Sequence, residues 1–142
     1  MKIGFLVNPV AGMGGAVGLK GTDGQYGRAV ALGARPVAPE KARAFCSALG
    51  PVTHTFCTAA GSMGEEILRS GGYDCETLYR PEGSVTTGAD TIAACEAFCA
   101  AGAGLMLFCG GDGTARDVFT VCGHDVPLLG IPAGVKMYSG VF

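Results

Sequence analysis

Short apolar runs alternate with helical segments along the whole chain, and this alternation is the feature that most limits the possible folds. The apolar runs predict strands at 3–7, 52–55, 75–79, 105–109 and 128–131. The segments between them predict helices at 26–32, 40–49, 62–70, 87–101 and 115–121. Strands that alternate with helices of this length form parallel sheets. We therefore expect an α/β fold, an open parallel sheet of about five strands with helices on both faces.

Several helix ends are marked by residues with a clear stereochemical role. Pro39 is suited to the first turn of the second helix, and Gly50 to the position just beyond its end. Ser62 and Glu65 have the spacing of a capping box, so we expect a helix that begins at Ser62.

The fourth predicted strand leads directly into Gly110, Gly111, Asp112, Gly113 and Thr114. Glycine has no Cβ, so the backbone can come close to a phosphate, and the helix that follows presents unpaired N–H groups to an anion. Because ligands of open α/β sheets bind at the carboxyl ends of the strands, Asp112 is expected in the ligand cleft. There it would accept a proton from an attacking hydroxyl or hold a phosphate-bound metal. The alternative is a tight strand-to-helix turn with an aspartate near the helix N-terminus.

A second glycine-rich segment follows the first strand. Of the 25 glycines, seven fall between Gly12 and Gly27, so we expect this segment to be a local glycine-rich loop. Residues 12–18 miss the dinucleotide fingerprint G-x-G-x-x-G, and the placement of Lys20 does not fit a Walker A motif. Lys20 and Lys136 are candidate phosphate ligands, with solvated surface lysines as the alternative.

Composition narrows the class of protein. The chain has 142 residues, enough for one domain, and its net charge of −2 argues against a nucleic-acid binder. No stretch reaches the roughly 20 apolar residues of a membrane span, and the apolar run at the amino terminus is too short for a signal peptide, so we expect neither a membrane partner nor export. The seven cysteines include no Cys-x-x-Cys pair. We expect reduced, mostly buried thiols and a cytoplasmic location.

The two histidines are far apart in sequence. His54 falls in a strand pattern, and we expect a structural role for it. His124 lies in a turn predicted to be near the cleft, but no nucleophile accompanies it.

Three segments resemble one known family. Residues 110–114, Gly-Gly-Asp-Gly-Thr, resemble the signature of the NAD kinase and diacylglycerol kinase superfamily, and phosphofructokinases carry a related form. Residues 8–15 and 17–24 are similar to the opening of predicted ATP- or polyphosphate-dependent NAD kinases, and residues 130–137 resemble a later segment of that family. The resemblance implies an NAD kinase/phosphofructokinase-like amino-terminal domain.

The resemblance also implies an activity and a set of site residues. The enzyme would phosphorylate the 2′-hydroxyl of the adenosine ribose of NAD, with ATP or polyphosphate as donor and Mg²⁺ as the expected metal. Asp112 would be the catalytic carboxylate. The implied nucleotide-binding positions are Gly110, Gly111, Gly113 and Thr114, and more loosely Asn8, Gly12, Gly14 and Gly15.

The chain departs from the family in having no segment that matches its second, mostly β domain with an Asn-Glu or Asn-Asp motif. We therefore expect residues 1–142 to be the amino-terminal domain of a longer enzyme, inactive alone and prone to self-association as a homo-oligomer. A lipid kinase of the diacylglycerol type is one alternative function. A non-catalytic module that binds a nucleotide or polyphosphate is the other.

Overall fold

The structure, a computed structural model, describes residues 1–19, 22, 24–134 and 137–142. The strands are β1 (Lys2–Val7), β2 (Thr55–Ala59), β3 (Cys75–Tyr79), β4 (Leu105–Gly110) and β5 (Leu128–Pro132). The helices are α1 (Met13–Ala16), α2 (Tyr26–Ala31), α3 (Ala38–Leu49), α4 (Glu65–Ser70), α5 (Gly88–Ala100) and α6 (Asp112–Cys122). A 3-10 turn at Gly61–Met63 precedes α4.

All five strands form one parallel sheet in the order β3-β2-β1-β4-β5. The chain builds the sheet outward from β1 to β3 on one side, and then adds β4 and β5 on the other side of β1. The strand order therefore reverses between β1 and β4, which is where open α/β sheets bind their ligands.

Side chains alternate between the two faces of the sheet, and helices cover both. Phe5 and Val7 of β1 belong to a core cluster that includes α3 and α4, whereas Leu6 belongs to a second cluster with α5 and α6. This alternation is the expected consequence of the two-residue period of a strand. The predicted fold class is confirmed.

The second strand is displaced from its prediction. We expected it at 52–55, but β2 begins at Thr55 and continues to Ala59. The pairing explains the difference, because Phe56 and Cys57 lie opposite Ile3 and Gly4 of β1. Thr58 is fully buried, and its hydroxyl donates a 2.8 Å hydrogen bond to the Phe5 carbonyl. This bond satisfies the hydroxyl, so β2 can include a polar residue inside the core.

The predicted capping box at Ser62 is wrong. Helix α4 begins at Glu65, and Gly64 at its N-cap has a φ of 144° that favours glycine. The Glu65 carboxylate instead accepts the Gly61 N–H at 3.2 Å. A capping box does form at α5, where Asp90 accepts the Thr87 N–H at 2.8 Å.

Two other predictions, on the ends of α3 and on the cysteines, agree with the structure. Pro39 lies in the first turn of α3, and Gly50 follows its end with a φ of 69°. All seven cysteines are free thiols, and five of them are buried. Among the described residues, no helix is long and apolar enough to span a membrane.

Candidate functional site

The loops that follow β1, β4 and β5 meet at the carboxyl edge of the sheet. The Asn8 N–H donates to the Cys109 carbonyl at 2.9 Å, and the Ala133 N–H donates to the Gly110 carbonyl at 2.9 Å. Gly12 has a φ of 83°, and a Cβ at this position would overlap the Ala133 carbonyl oxygen. The absence of a side chain at Gly12 therefore allows the first and last of these loops to touch.

Asp112 is the first residue of α6, three residues earlier than the predicted helix start. Gly111 precedes it in an extended conformation that ends β4 and lets the helix begin at once. Gly113 and Thr114 are therefore helical rather than part of a loop. The Asp112 carboxylate lies at the positive end of the helix dipole, at the point where the strand order reverses.

Three backbone hydrogen bonds reach the Asp112 carboxylate from the segment after β5. The Tyr138 N–H lies 2.9 Å from Oδ2 and 3.1 Å from Oδ1, and the Ser139 N–H lies 3.0 Å from Oδ1. These bonds, first from Ser139 and then from Tyr138, lower the pKa of Asp112, and Arg116 contributes through its charge. The carboxylate is therefore ionised at neutral pH and is a weak proton acceptor.

Asn8 and Thr114 link the β1 loop to α6. The Asn8 side-chain amide donates to the Thr114 hydroxyl at 3.0 Å, and its oxygen accepts the Val10 N–H at 3.3 Å. Thr114 is 4% exposed. The structure thus brings these two candidate residues together, with Thr114 buried beside Asn8.

The glycines after β4 have different surroundings. A Cβ at buried Gly110 would overlap the Thr114 side chain, whereas a Cβ at Gly111 would meet nothing within 4 Å. Gly110 therefore permits the close approach of β4 to α6, and Gly111 faces open space at the helix N-terminus.

The glycine loop after β1 is partly occupied by its own contacts. The Gly14 N–H donates to the Thr22 hydroxyl at 2.9 Å, and Gly14 is buried inside the short helix α1. Gly15 is partly exposed. Lys20 and Lys136, the two candidate phosphate lysines, lie outside the described residues.

His124 is not near the cleft, contrary to the sequence prediction. It follows the C-terminal end of α6, whereas Asp112 begins that helix, and α6 of 11 residues is roughly 16 Å long. Its ring packs edge-on against Phe119 at 5.4 Å between centroids. His54 is exposed just before β2 rather than within a strand.

Sequence reasoning missed the contribution of residues 138 and 139. They contact Asp112 through backbone N–H groups, which every residue except proline carries, so no residue type in the sequence marks this role.

Within the described ranges, no group of three or more His, Cys, Asp or Glu side chains could hold a metal ion. Magnesium commonly binds one or two carboxylates together with substrate phosphates, so Asp112 fits it only alongside a phosphorylated ligand.

Comparison with known proteins agrees with this geometry. A family model described as the ATP-NAD kinase N-terminal domain matches residues 3–142. No match was found among curated proteins or among solved structures. The family supports a kinase-type phosphotransferase function and nucleotide substrates in general. On this match over nearly its whole length, the chain belongs to the ATP-NAD kinase N-terminal domain family.

Proposed function

We propose that this domain provides the phosphate-binding half of an enzyme that converts NAD to NADP, with ATP or polyphosphate as the phosphoryl donor. The observation that carries the proposal is the position of Asp112, an ionised carboxylate at the N-terminus of α6 and at the point where the strand order reverses. The family match supports a kinase rather than a simple binding module.

The lowered pKa of Asp112 limits its part in the reaction. In phosphoryl transfer the transition state is loose, and catalysis depends mainly on positioning and on charge stabilisation. Asp112 would accept a hydrogen bond from the ribose 2′-hydroxyl and orient its oxygen toward the transferred phosphorus. It would take the proton late, when bond formation has made the hydroxyl acidic. In the alternative role, Asp112 would help to hold Mg²⁺, which would neutralise charge on the phosphates.

The phosphates themselves would lie beside Gly111 and Gly113. The first turn of a helix has N–H groups without intrahelical acceptors, and their partial positive charge favours anions. Gly111 leaves open space for a phosphate at this point. We propose that Gly110 and Thr114 form the floor of the site, because the Thr114 side chain occupies the space that a Cβ at Gly110 would need.

The β1 loop would support this site from the side. Asn8 fixes the Thr114 hydroxyl, and Gly12 allows the loop to rest on Ala133. The Gly14 N–H already has a partner in Thr22, so Gly15 is the better candidate for a direct phosphate contact. Lys20 remains a candidate phosphate ligand on sequence grounds alone.

We further propose that a carboxyl-terminal domain completes the dinucleotide site, and that residues 1–142 alone are inactive. The family description, which names an N-terminal domain, supports this. Tyr138, 82% exposed beside Asp112, is placed to meet such a partner domain or a ligand.

Self-association into a homo-oligomer is also proposed and is tested by sedimentation, where a monomer at all concentrations would contradict it. Seven free thiols support a cytoplasmic location.

The test is an assay of the full-length protein with Mg²⁺, with ATP or polyphosphate as donor, and with NAD or a panel of lipids as acceptor. We expect NADP, and we expect Asp112→Asn to lower kcat at least about 100-fold. Asp125→Asn is the matched control, since Asp125 is exposed beyond the opposite end of α6. Phosphorylation of a lipid but not of NAD would favour the diacylglycerol-type alternative. Full activity of Asp112→Asn would exclude the proposed role.

A further inference from the structure

Three thiols lie together where α5 packs against α6, away from the phosphate site. Cys95 and Cys99 are one turn apart on α5, so they share a face of that helix, and Cys122 is the last residue of α6. The Cys99 and Cys122 sulfurs are 3.8 Å apart and form a hydrogen bond. Cys99 is partly exposed, while Cys95 and Cys122 are buried at 0% and 2% exposure.

Cys122 differs from the other cysteines in its acidity. The Cys95 thiol, and then the Cys99 thiol, hydrogen-bond to its sulfur, and these bonds lower the pKa of Cys122 to about 7. Burial raises the pKa of Cys99 to about 11. The hydrogen bond to Cys122 also raises the pKa of Cys95. Cys122 is therefore the most acidic thiol of the cluster, and the thiolate is the reactive form of cysteine.

We propose that Cys99 and Cys122 form a site of reversible oxidation, at which a small peroxide converts the two neighbouring thiols into a disulfide between α5 and α6. The Cys122 thiolate attacks a peroxide oxygen, the O–O bond breaks, and for hydrogen peroxide the departing hydroxide takes up a proton as water. Cys122 then carries a sulfenic acid. The Cys99 sulfur attacks it, the S–S bond forms, the S–O bond breaks, and the Cys99 proton leaves with the hydroxyl as a second water. Two thiols are thereby oxidised by two electrons, and one peroxide is reduced.

The geometry requires only a small movement. A disulfide has an S–S length of about 2.05 Å, so the sulfurs must approach by roughly 1.8 Å from their 3.8 Å separation. Rotation of the two side chains supplies displacements of this size.

The bond would close a ring of the chain that contains residues 110–114 of the candidate site. Between Cys99 and Cys122 the chain runs through β4, Gly110 and Asp112, and then along α6. Cross-linking the end of α6 to α5 would restrict movement of α6 as a unit. Because Asp112 begins that helix, oxidation would hold the site carboxylate in one position relative to the sheet.

The test treats the reduced full-length protein with a small excess of hydrogen peroxide at pH 7.5, blocks the remaining thiols by alkylation, and maps the disulfides by mass spectrometry. We expect a Cys99–Cys122 disulfide that dithiothreitol reverses, and slower hydrogen exchange in α6. We also expect a Tm about 5 °C higher in the oxidised protein. This mapping on the unmodified sequence needs no variant that could fail to fold.

Variants then identify the pair. Cys99→Ala should abolish the intramolecular disulfide, and Cys75→Ala should leave it intact, because Cys75 lies on β3 with the other core cluster. A Cys95–Cys122 bond, disulfides only between molecules, or an alkylatable Cys122 after oxidation would each overturn the proposal. None of these readouts depends on kinase activity, so they do not depend on the proposed function.

Discussion

The Asp112 carboxylate accepts backbone hydrogen bonds from Tyr138 and Ser139, and each of these bonds favours the ionised form. Its pKa in the folded protein therefore lies below its value in the unfolded chain. This lowering contributes stability that is present above the unfolded pKa of about 3.9 and is lost as the pH falls through the folded pKa. Because Asp112 is only partly buried, the contribution is small, and the clearer readout is the titration itself.

We predict that removing one of these donors raises the pKa of Asp112. Ser139→Pro removes the N–H, whereas Ser139→Ala keeps it and serves as the control. Carbon NMR of the Asp112 carboxyl should show a higher titration midpoint in the proline variant than in the alanine variant. Equal midpoints in the two variants would contradict the assignment of the shift to the backbone bonds.

Gly110 and Gly111 are adjacent, yet we expect alanine to affect stability at Gly110 and ligand binding at Gly111. A Cβ at Gly110 would overlap the Thr114 side chain, so Gly110→Ala should lower the free energy of unfolding by about 1–3 kcal/mol. Gly111→Ala meets open space and should leave stability within about 0.5 kcal/mol, while weakening phosphate-donor binding in the full-length enzyme. Urea denaturation measures the first effect, and the KM for the donor measures the second. Similar losses of stability in both variants would refute this distinction.

At the scale of the elements, one carboxylate links the start of α5 to the end of β3, in addition to the apolar packing of α5 on the sheet. Asp90 accepts the Thr87 N–H at 2.8 Å at the start of α5 and the Tyr79 hydroxyl at 2.7 Å from the end of β3. We predict that Asp90→Ala lowers the free energy of unfolding by about 1–2 kcal/mol, because the cap and the link to β3 are lost together. Glu96→Ala, at an exposed position on the same helix, is the control and should change little. Chemical denaturation of both variants checks this, and equal stabilities would show that the cap contributes nothing.

The elements also show which parts of the fold the sequence could predict. Apolar strands such as β1 and β4 are recognisable because both faces of a parallel sheet are buried. The sequence misplaced β2 because Thr58 is polar and is accommodated only through its bond to a neighbouring strand. The start of α6 was predicted late because Gly113 is a poor helix former in isolation. In the candidate site, the position of Asp112 after β4 could be predicted, but its backbone partners could not, since their role depends on tertiary contacts.

At the scale of the whole molecule, the candidate site depends on contacts between loops from different parts of the chain. The β1 loop touches the β5 loop at Gly12 and Ala133, and the segment after β5 reaches Asp112. The β1 loop also reaches α6 through Asn8 and Thr114. A change at one loop should therefore affect the position of the others.

Gly12 provides the test of this coupling, with Gly18 as a matched control. Both glycines have positive φ, 83° and 78°, so alanine at either position carries a similar backbone cost of about 1–2 kcal/mol. At Gly18 a Cβ meets nothing within 4 Å, whereas at Gly12 it overlaps the Ala133 carbonyl. We predict that Gly12→Ala is the more destabilising of the two in urea denaturation. It should also alter the amide NMR signals of Tyr138 and Ser139, while Gly18→Ala leaves those signals in place. The result that would contradict this is an equal loss of stability in the two variants, with the Tyr138 signal unchanged in both. The loops would then be positioned independently, and Gly12 would be required only for its own backbone conformation.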